Sequence, residues 1–200
     1  MSASMPDNSL PSANVTVLIE ANKKYSKTFD QSDLPAPPSK HFAILTCMDA
    51  RMDPHKFAGL SDGEAHVIRN AGGRATDDAI RSLIISHKFL GTLEWFVIHH
   101  THCGMSSVSD ERIGELLEED LETAVFDGES WWNPQRESSD NSKPGSEAGK
   151  HMHWHTFTDL QQSVSTDVES IKNHDLVPSH IKVYGFIFDV KTGKLEPVTA

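Results

Sequence analysis

Residues 93–104, LEWFVIHHTHCG, join a short apolar run to three histidines and one cysteine. The run is rich in aromatic and β-branched residues and follows a glycine, Gly91, which is typical of a buried strand. Histidine is an unusual choice for the end of a plain strand, because its side chain can bind metals and transfer protons. We therefore predict a functional site here that needs further residues from elsewhere in the chain.

Two other apolar runs, HFAILTCMD at 41–49 and EAHVIRNAGG at 64–73, also predict buried parallel strands. The segment IKVYGFIFDVKTGKLEPV, at 181–198, predicts a strand, a turn and a short return strand. The first predicted helix has Asn14 as its cap and the second has Thr76. The predicted helices cover residues 14–29, 76–91, 109–126 and 156–174. Because strands alternate with helices, the sequence predicts an α/β fold with a mostly parallel sheet.

The domain organisation is predicted as a flexible tail at 1–12 and a single domain at 13–200 with an insertion at about 127–155. The middle of the insertion is rich in Ser, Asp, Gly and Pro and is expected to be flexible, whereas tryptophans lie on both of its flanks. The second flank contains HMHWH, at 151–155. On a strand its three histidines would share one face and could bind a second metal; the alternative is a histidine-rich loop.

Composition narrows the possible partners and location. The formal net charge of −11 argues against nucleic acid and anionic membranes as partners. No apolar run is long enough to span a bilayer, and the N-terminus lacks the basic and apolar order of a secretory signal. We therefore expect a cytoplasmic protein, where a structural disulfide between its two cysteines, Cys47 and Cys103, is disfavoured.

Cys47 ends one predicted strand, and His100 and Cys103 end another. Ligands of parallel sheets bind at the carboxyl ends of strands, so these three side chains can meet. Two thiolates and one imidazole suit zinc, and three protein ligands leave a fourth position open, as in catalytic sites. Because H-x-x-C is a short pattern, two buried cysteines and a capped histidine are the alternative.

Asp49 and Arg51 follow Cys47 on the same alternating face. Asp49 could be a fourth ligand, or as an anion it could accept a hydrogen bond from a zinc-bound water. Arg51 can hold Asp49 ionised and away from the metal through a two-pronged ion pair, although a plain surface ion pair is the commoner case. A closed structural zinc site without catalysis and a redox pair of cysteines are further alternatives, and this acid–arginine pair argues against both.

The pattern C-x-D-x-R followed by H-x-x-C about fifty residues later resembles the β-class carbonic anhydrases. The segments CMDARMD, GEAHVIRNAGG, TDDAIRSL and HHTHCGM resemble the short bacterial and fungal branch, which also includes carbonyl sulfide hydrolases. The C-terminal GFIFDVKTGKLEPV is similar to that branch as well. The resemblance is strong over about residues 40–110 and does not cover the N-terminal tail or the insertion.

This resemblance implies a central, mostly parallel β-sheet flanked by helices, with an antiparallel edge strand. It implies a homodimer that often pairs again into a dimer of dimers. The implied zinc ligands are Cys47, His100 and Cys103. Asp49 and Arg51 are then the catalytic dyad, with Asp49 able to swing onto zinc in a closed form.

Two glycines and several histidines acquire expected roles from the same resemblance. Gly72 and Gly73 would let the backbone approach the substrate or the partner subunit. His102 stands where the family commonly has Asp or Gly, and we expect it to point to solvent. The candidate proton carriers are His102, His99 and the HMHWH run.

The implied reaction is reversible hydration of carbon dioxide to bicarbonate. The alternative is hydrolysis of carbonyl sulfide to hydrogen sulfide and carbon dioxide, or of carbon disulfide, by the same zinc site. All three substrates are small, linear and apolar, so the metal ligands alone do not distinguish them.

Overall fold

The computed structural model describes residues 12–134 and 144–199 and divides the chain into two compact units, one up to Pro35 and one from Ala36. The first unit contains helix α1 (Ala13–Tyr25), and the Ser12 hydroxyl accepts a hydrogen bond from the Val15 N–H at 3.3 Å. The predicted cap at Asn14 is wrong, because Ser12 already occupies the capping position. Apart from Ser12, the predicted tail lies outside the described residues.

The second unit alternates strands and helices. In chain order these are β1 (Phe42–Cys47), α2 (Pro54–Phe57), β2 (His66–Asn70), α3 (Asp77–Lys88), β3 (Glu94–His100), α4 (Asp110–Glu119), β4 (Val125–Phe126), β5 (Trp131–Trp132), α5 (Leu160–Lys172), β6 (Lys182–Phe188) and β7 (Leu195–Val198). The Thr76 side chain caps α3, as predicted. Along the described segments, no helix is both long and apolar enough to cross a membrane.

Five strands form the main sheet, in the order β2–β1–β3–β6–β7. The first four are parallel, and β7 returns antiparallel to β6 at the edge. The predicted α/β fold with a mostly parallel sheet and an antiparallel edge strand is confirmed. Parallel pairing of β1 with β3 places the carboxyl ends of both strands at one edge of the sheet.

The two faces of the sheet are covered differently. Alternate residues of β1, β3 and β6 pack against α3 and α5 in the larger apolar core. Ile44, Ile98 and Phe188 face the other way and form a second cluster, which Cys47 and Cys103 join at the carboxyl ends of the strands. Since His99 and His100 are neighbours on a strand, they face opposite sides: His99 contacts α5, whereas His100 lies beside the two cysteines.

The predicted helix at 109–126 is wrong at its end. Helix α4 stops at Glu119 because Asp120 adopts an extended backbone, and β4 and β5 form a separate hairpin. Acidic residues in the last turn disfavour a longer helix, because the carboxyl end of a helix is already negative.

The insertion is described only in part, and its predicted flexible middle lies largely at 135–143, outside the described residues. HMHWH is not a strand: His151 ends a short 3-10 helix, and the rings of His153 and His155 stack at 4.1 Å. Asp110 holds this segment by accepting hydrogen bonds from the backbone N–H groups of Trp154 and Thr156. Of the two alternatives for this segment, the strand is therefore wrong and the histidine-rich loop is the one that the structure supports.

The end of β1 is packed tightly by a glycine. Gly73 has φ +71°, and a Cβ atom added there would lie 2.8 Å from the Cys47 nitrogen and 2.9 Å from the Thr46 carbonyl carbon. Gly59 also has a positive φ, +62°, but a Cβ atom there would have no neighbour within 4 Å among the described residues. The two glycines therefore separate the effect of backbone strain from that of close packing.

We expect Gly73→Ala to lower the free energy of unfolding by about 3 kcal/mol, because strain and a backbone clash add. Gly59→Ala should cost only about 1 kcal/mol, since it introduces strain alone. Denaturant unfolding of both variants measures the difference. Equal losses in the two variants would contradict the close packing of Gly73 on β1.

Candidate metal centre

Three side chains that the sequence predicts to meet are brought together at the edge of the sheet. The ligand atoms of Cys47, His100 and Cys103 all lie within 4.8 Å of one another, and all three residues are buried. Cys47 is the last residue of β1 and His100 the last of β3, while Cys103 lies in the turn that follows. Among the residues that the structure describes, this is the only group of three or more acidic, histidine or cysteine residues able to hold a metal ion.

His100 is oriented as a metal ligand would be. Its Nδ1 lies 2.9 Å from the Thr101 carbonyl oxygen, to which an N–H at that position donates. Nε2 then carries the free lone pair, is buried, and has no hydrogen-bond partner within the described parts of the chain. The nearest carboxylate oxygen, Asp49 Oδ2, is 3.7 Å away, beyond hydrogen-bonding distance. An unpaired buried nitrogen is costly, and a metal ion between it and the two sulfurs would satisfy it.

The surroundings of Cys47 lower the pKa of its thiol. Hydrogen bonding from the Cys103 side chain lowers the pKa of Cys47 most, burial acts in the opposite direction, and His100 lowers it further. The backbone N–H groups of Asp49 and Gly72 lower the pKa of Cys47 as well. Because the thiolate is the form that binds metals, these contacts fit the residue to a metal ion.

Asp49 and Arg51 form the two-pronged ion pair that their spacing predicts. Asp49 Oδ1 accepts from Arg51 Nε at 2.9 Å and from its backbone N–H at 2.8 Å, and Oδ2 accepts from Nη2 at 2.6 Å. The hydrogen bond from the Arg51 side chain is the main cause that lowers the pKa of Asp49 to about 2. Asp49 is therefore ionised at neutral pH and can only accept hydrogen bonds.

Arg51 also connects the two halves of the site. Its Nη2 donates to the His102 carbonyl at 2.9 Å, across the turn that carries Cys103. His102 has a positive φ of +55°, and its side chain is exposed. His99, by contrast, is fully buried with Nδ1 at 2.9 Å from Ser163 Oγ, so it does not lie at a mouth open to solvent.

A second arginine, Arg69, supports the same loop and was not singled out by the sequence. Its Nε donates to the Cys47 carbonyl at 2.9 Å and its Nη2 to the Asp49 carbonyl at 2.7 Å. Arg69 pairs with Thr46 in the register of β2 with β1. A charged residue directly after the apolar pair Val67 and Ile68, near the end of a predicted buried strand, is the signal that could have identified it.

A pocket of about 340 Å³ is lined by Cys47 and Cys103 of this group and by Asp49. Apart from Asp49, its lining side chains are apolar or cysteine, and Gly72 and Met105 form part of its wall. Gly72 has φ +81° and lines the pocket, whereas Gly73 approaches the backbone of β1 instead. Such a pocket can admit a small apolar molecule next to an acceptor carboxylate.

Comparison with known proteins gives consistent matches. The family model for carbonic anhydrases matches residues 42–195. β-Carbonic anhydrase 1 of Mycobacterium tuberculosis is 39% identical over 178 residues, which cover 89% of this chain and 93% of that protein. Carbon disulfide hydrolase of Acidithiobacillus thiooxidans is 34% identical over 167 residues, which cover 80% of this chain and 78% of that protein.

Solved structures agree with this result. The crystal structure of carbonic anhydrase from Streptococcus mutans has a TM-score of 0.78 and 36% identity, covering 95% of this chain and 100% of that one. The family match spans the four parallel strands, both cysteines and His100 between them. On these matches, the chain belongs to the β-carbonic anhydrase family.

Proposed function

We propose that this chain catalyses the reversible hydration of carbon dioxide to bicarbonate, with Zn²⁺ held by Cys47, His100 and Cys103. The observation that carries the proposal is the buried, unpaired Nε2 of His100 between two thiols, beside an ionised aspartate. The names of several relatives, among them β-carbonic anhydrase 1, support the same reaction. A structural zinc site is less well supported, because it has no need of the Asp49–Arg51 pair.

Zinc is the metal that best suits two thiolates and one imidazole in a buried site. Zinc supplies Lewis-acid activation of water, which makes a nucleophile available at neutral pH. His100 would bind the metal through Nε2, because its Nδ1 faces the Thr101 carbonyl. The lowered pKa of Cys47 favours the thiolate, which is the form that would bind the metal.

Asp49 and Arg51 have the role of orienting the water that reacts. Asp49 accepts a hydrogen bond from the water that reacts and, as an anion, offers no proton in return. Arg51 fixes both carboxylate oxygens, so Asp49 is kept as an acceptor rather than a ligand in this arrangement. A closed form, in which Asp49 leaves Arg51 and becomes the fourth ligand, stays a prediction.

The substrate and the proton are assigned to different parts of the site, the apolar pocket wall and an exposed histidine. The apolar wall that includes Gly72 and Met105 favours a small linear molecule over bulk water. We assign the outward proton transfer to His102, because its imidazole is exposed and its carbonyl contacts Arg51 at the site.

Hydrolysis of carbonyl sulfide or carbon disulfide is the second candidate function. The observation in its favour is the identity to carbon disulfide hydrolase, together with a pocket wall that offers almost no polar partner to a substrate. The same ligands and the same aspartate would serve it. A sulfur atom is larger than oxygen and makes poor hydrogen bonds, so the fit of the pocket wall decides between the substrates.

The experiment that tests the proposal compares two reactions on one preparation whose zinc content is known. We expect fast proton release on carbon dioxide hydration and little sulfide release from carbonyl sulfide. Strong sulfide release with weak hydration would favour the second candidate instead.

Cys103→Ser should hold less than stoichiometric zinc and lose both activities; normal zinc content in that variant would contradict the ligand assignment.

Arg51→Ala tests the role of the dyad. We expect normal zinc content and a fall in kcat/KM for carbon dioxide of about tenfold to a hundredfold, because Asp49 loses the group that orients it. Arg81→Ala is the matched control, since Arg81 pairs with Asp78 at 2.8 Å on the exposed side of α3. Full activity in Arg51→Ala would remove the dyad from the mechanism.

We also propose that the chain forms a homodimer, or a dimer of dimers. The sheet face that bears Phe42, Phe96 and Tyr184 is only partly covered, with Phe96 packed 5.2 Å from Phe42 and 5.5 Å from Tyr184 between ring centroids. Helix α1 has no buried residue, and its Val17 and Leu18 are 67% and 70% exposed. Apolar surfaces of this kind are typical of interfaces between protein subunits.

Tyr184→Glu should therefore shift the protein toward monomer, because a charge is placed on the aromatic face. Analytical ultracentrifugation over a range of concentrations measures this shift. Leu176→Glu is the control, since Leu176 is also a large exposed side chain, 67% exposed, but lies in a loop. A wild-type protein that stays monomeric at high concentration would contradict the proposal.

A further inference from the structure

Arg74 and Asp167 form a buried ion pair that the proposed reaction does not use directly. Arg74 Nε and Nη2 donate to the two oxygens of Asp167 at 2.8 and 2.9 Å. The two side chains are only 9% and 6% exposed. The pair joins helix α5 to the loop after β2, which are 93 residues apart in sequence. Charges buried to this degree are costly, so their retention calls for a specific reason.

On one side, Asp167 holds the loop that packs on Cys47. Besides the two bonds from Arg74, it accepts from the Ala75 N–H at 3.0 Å. The Asn70 side chain binds both the backbone N–H and the carbonyl of Arg74, each at 2.7 Å. The loop is thus fixed at both ends of the glycine pair, whose second member, Gly73, packs so closely on β1 that an added Cβ atom would lie 2.8 Å from the Cys47 nitrogen.

On the other side, Asp167 reaches the strand that carries the histidine ligand. His99 Nε2 lies 3.2 Å from Asp167 Oδ2, and its Nδ1 lies 2.9 Å from Ser163 Oγ on the same helix. His99 immediately precedes His100, and both are almost completely buried. One carboxylate therefore contacts the supports of two ligands that come from different strands.

We propose that Asp167 is a positioning residue for the metal centre, which fixes the Gly72 loop against Cys47 and the end of β3 at His100. The inference rests on the proposed function, because it takes Cys47 and His100 as zinc ligands. Replacing a residue that supports and orients metal ligands commonly changes metal affinity tenfold to a hundredfold. Asp167 touches neither the pocket nor the metal ligands, so it acts only through Arg74, Ala75 and His99.

A buried ion pair that only stabilises the fold makes a different prediction. Replacing such a pair by apolar residues of similar volume is often neutral or stabilising, whereas removing one partner is destabilising. The double variant Arg74→Met/Asp167→Leu therefore separates the two roles. It restores a packed interior but cannot restore the contacts to Ala75 and His99.

The test measures zinc affinity by competition with a chelator, and thermal unfolding of the metal-free protein, for Asp167→Asn and for the double variant. We expect both variants to bind zinc at least about tenfold more weakly than wild type. We expect the double variant to unfold at a temperature close to that of wild type.

The Co²⁺ form of each variant should also show a shifted sulfur-to-metal absorption band. Asp78→Asn, which breaks an exposed pair with Arg81, is the matched control and should leave affinity and spectrum unchanged.

Two results would overturn the inference. Zinc affinity within twofold of wild type in Asp167→Asn would show that the contacts to the ligand supports do not matter. Recovery of both stability and zinc affinity in the double variant would show that the pair only stabilises the fold. A wild-type protein that fails to bind stoichiometric zinc would instead contradict the proposed function, so the two failures are distinguishable.

Discussion

Parallel pairing between β1 and β3 is the constraint on which the candidate site depends. Their register sets Thr46 opposite Ile98, and the buried Thr46 hydroxyl donates to the Ile98 carbonyl at 2.7 Å. This bond lies one residue before Cys47 and two before His100. The distance between the ligand atoms is therefore set by the sheet rather than by a flexible loop. Sites carried by such rigid elements hold their geometry more precisely.

Three arginines complete the site by satisfying backbone carbonyls as well as acids. Arg51 binds Asp49 and the His102 carbonyl, and Arg69 binds the carbonyls of Cys47 and Asp49. Arg74, which lies farther from the candidate ligands, binds Asp167 and the His155 carbonyl. The planar guanidinium group offers five N–H donors in fixed directions, whereas the lysine ammonium group is a compact charge with three donors. In a chain with a net charge of −11, these cations hold the loops around the site in fixed positions.

The strands and the candidate ligand residues could be predicted from the sequence because both follow from local pattern. Apolar runs predict buried strands, and polar residues at their ends predict a site. Contacts between distant segments were harder to predict. Asp167 is the clearest example: it lies between Val164 and Val168 on the buried face of α5, where an acid is unusual. An acid on a buried helix face indicates a buried partner. The identity of that partner, Arg74, depends on tertiary packing and cannot be predicted from the local sequence.

The walls of the pocket limit how substrate preference can change within this fold. Gly72 and Cys103 line the pocket and also belong to the loops around the candidate metal ligands. A bulkier residue at Gly72 would meet the Arg74 and Met105 side chains, at 3.0 and 3.3 Å from an added Cβ, and would displace the loop that packs on the Cys47 backbone. Met105 has a flexible side chain that adapts to volume changes, so its replacement alters the pocket with less effect on the candidate ligands. Under the proposed function, discrimination between oxygen-containing and sulfur-containing substrates is therefore expected to reside in side chains such as Met105, while the glycines and the proposed ligands stay fixed.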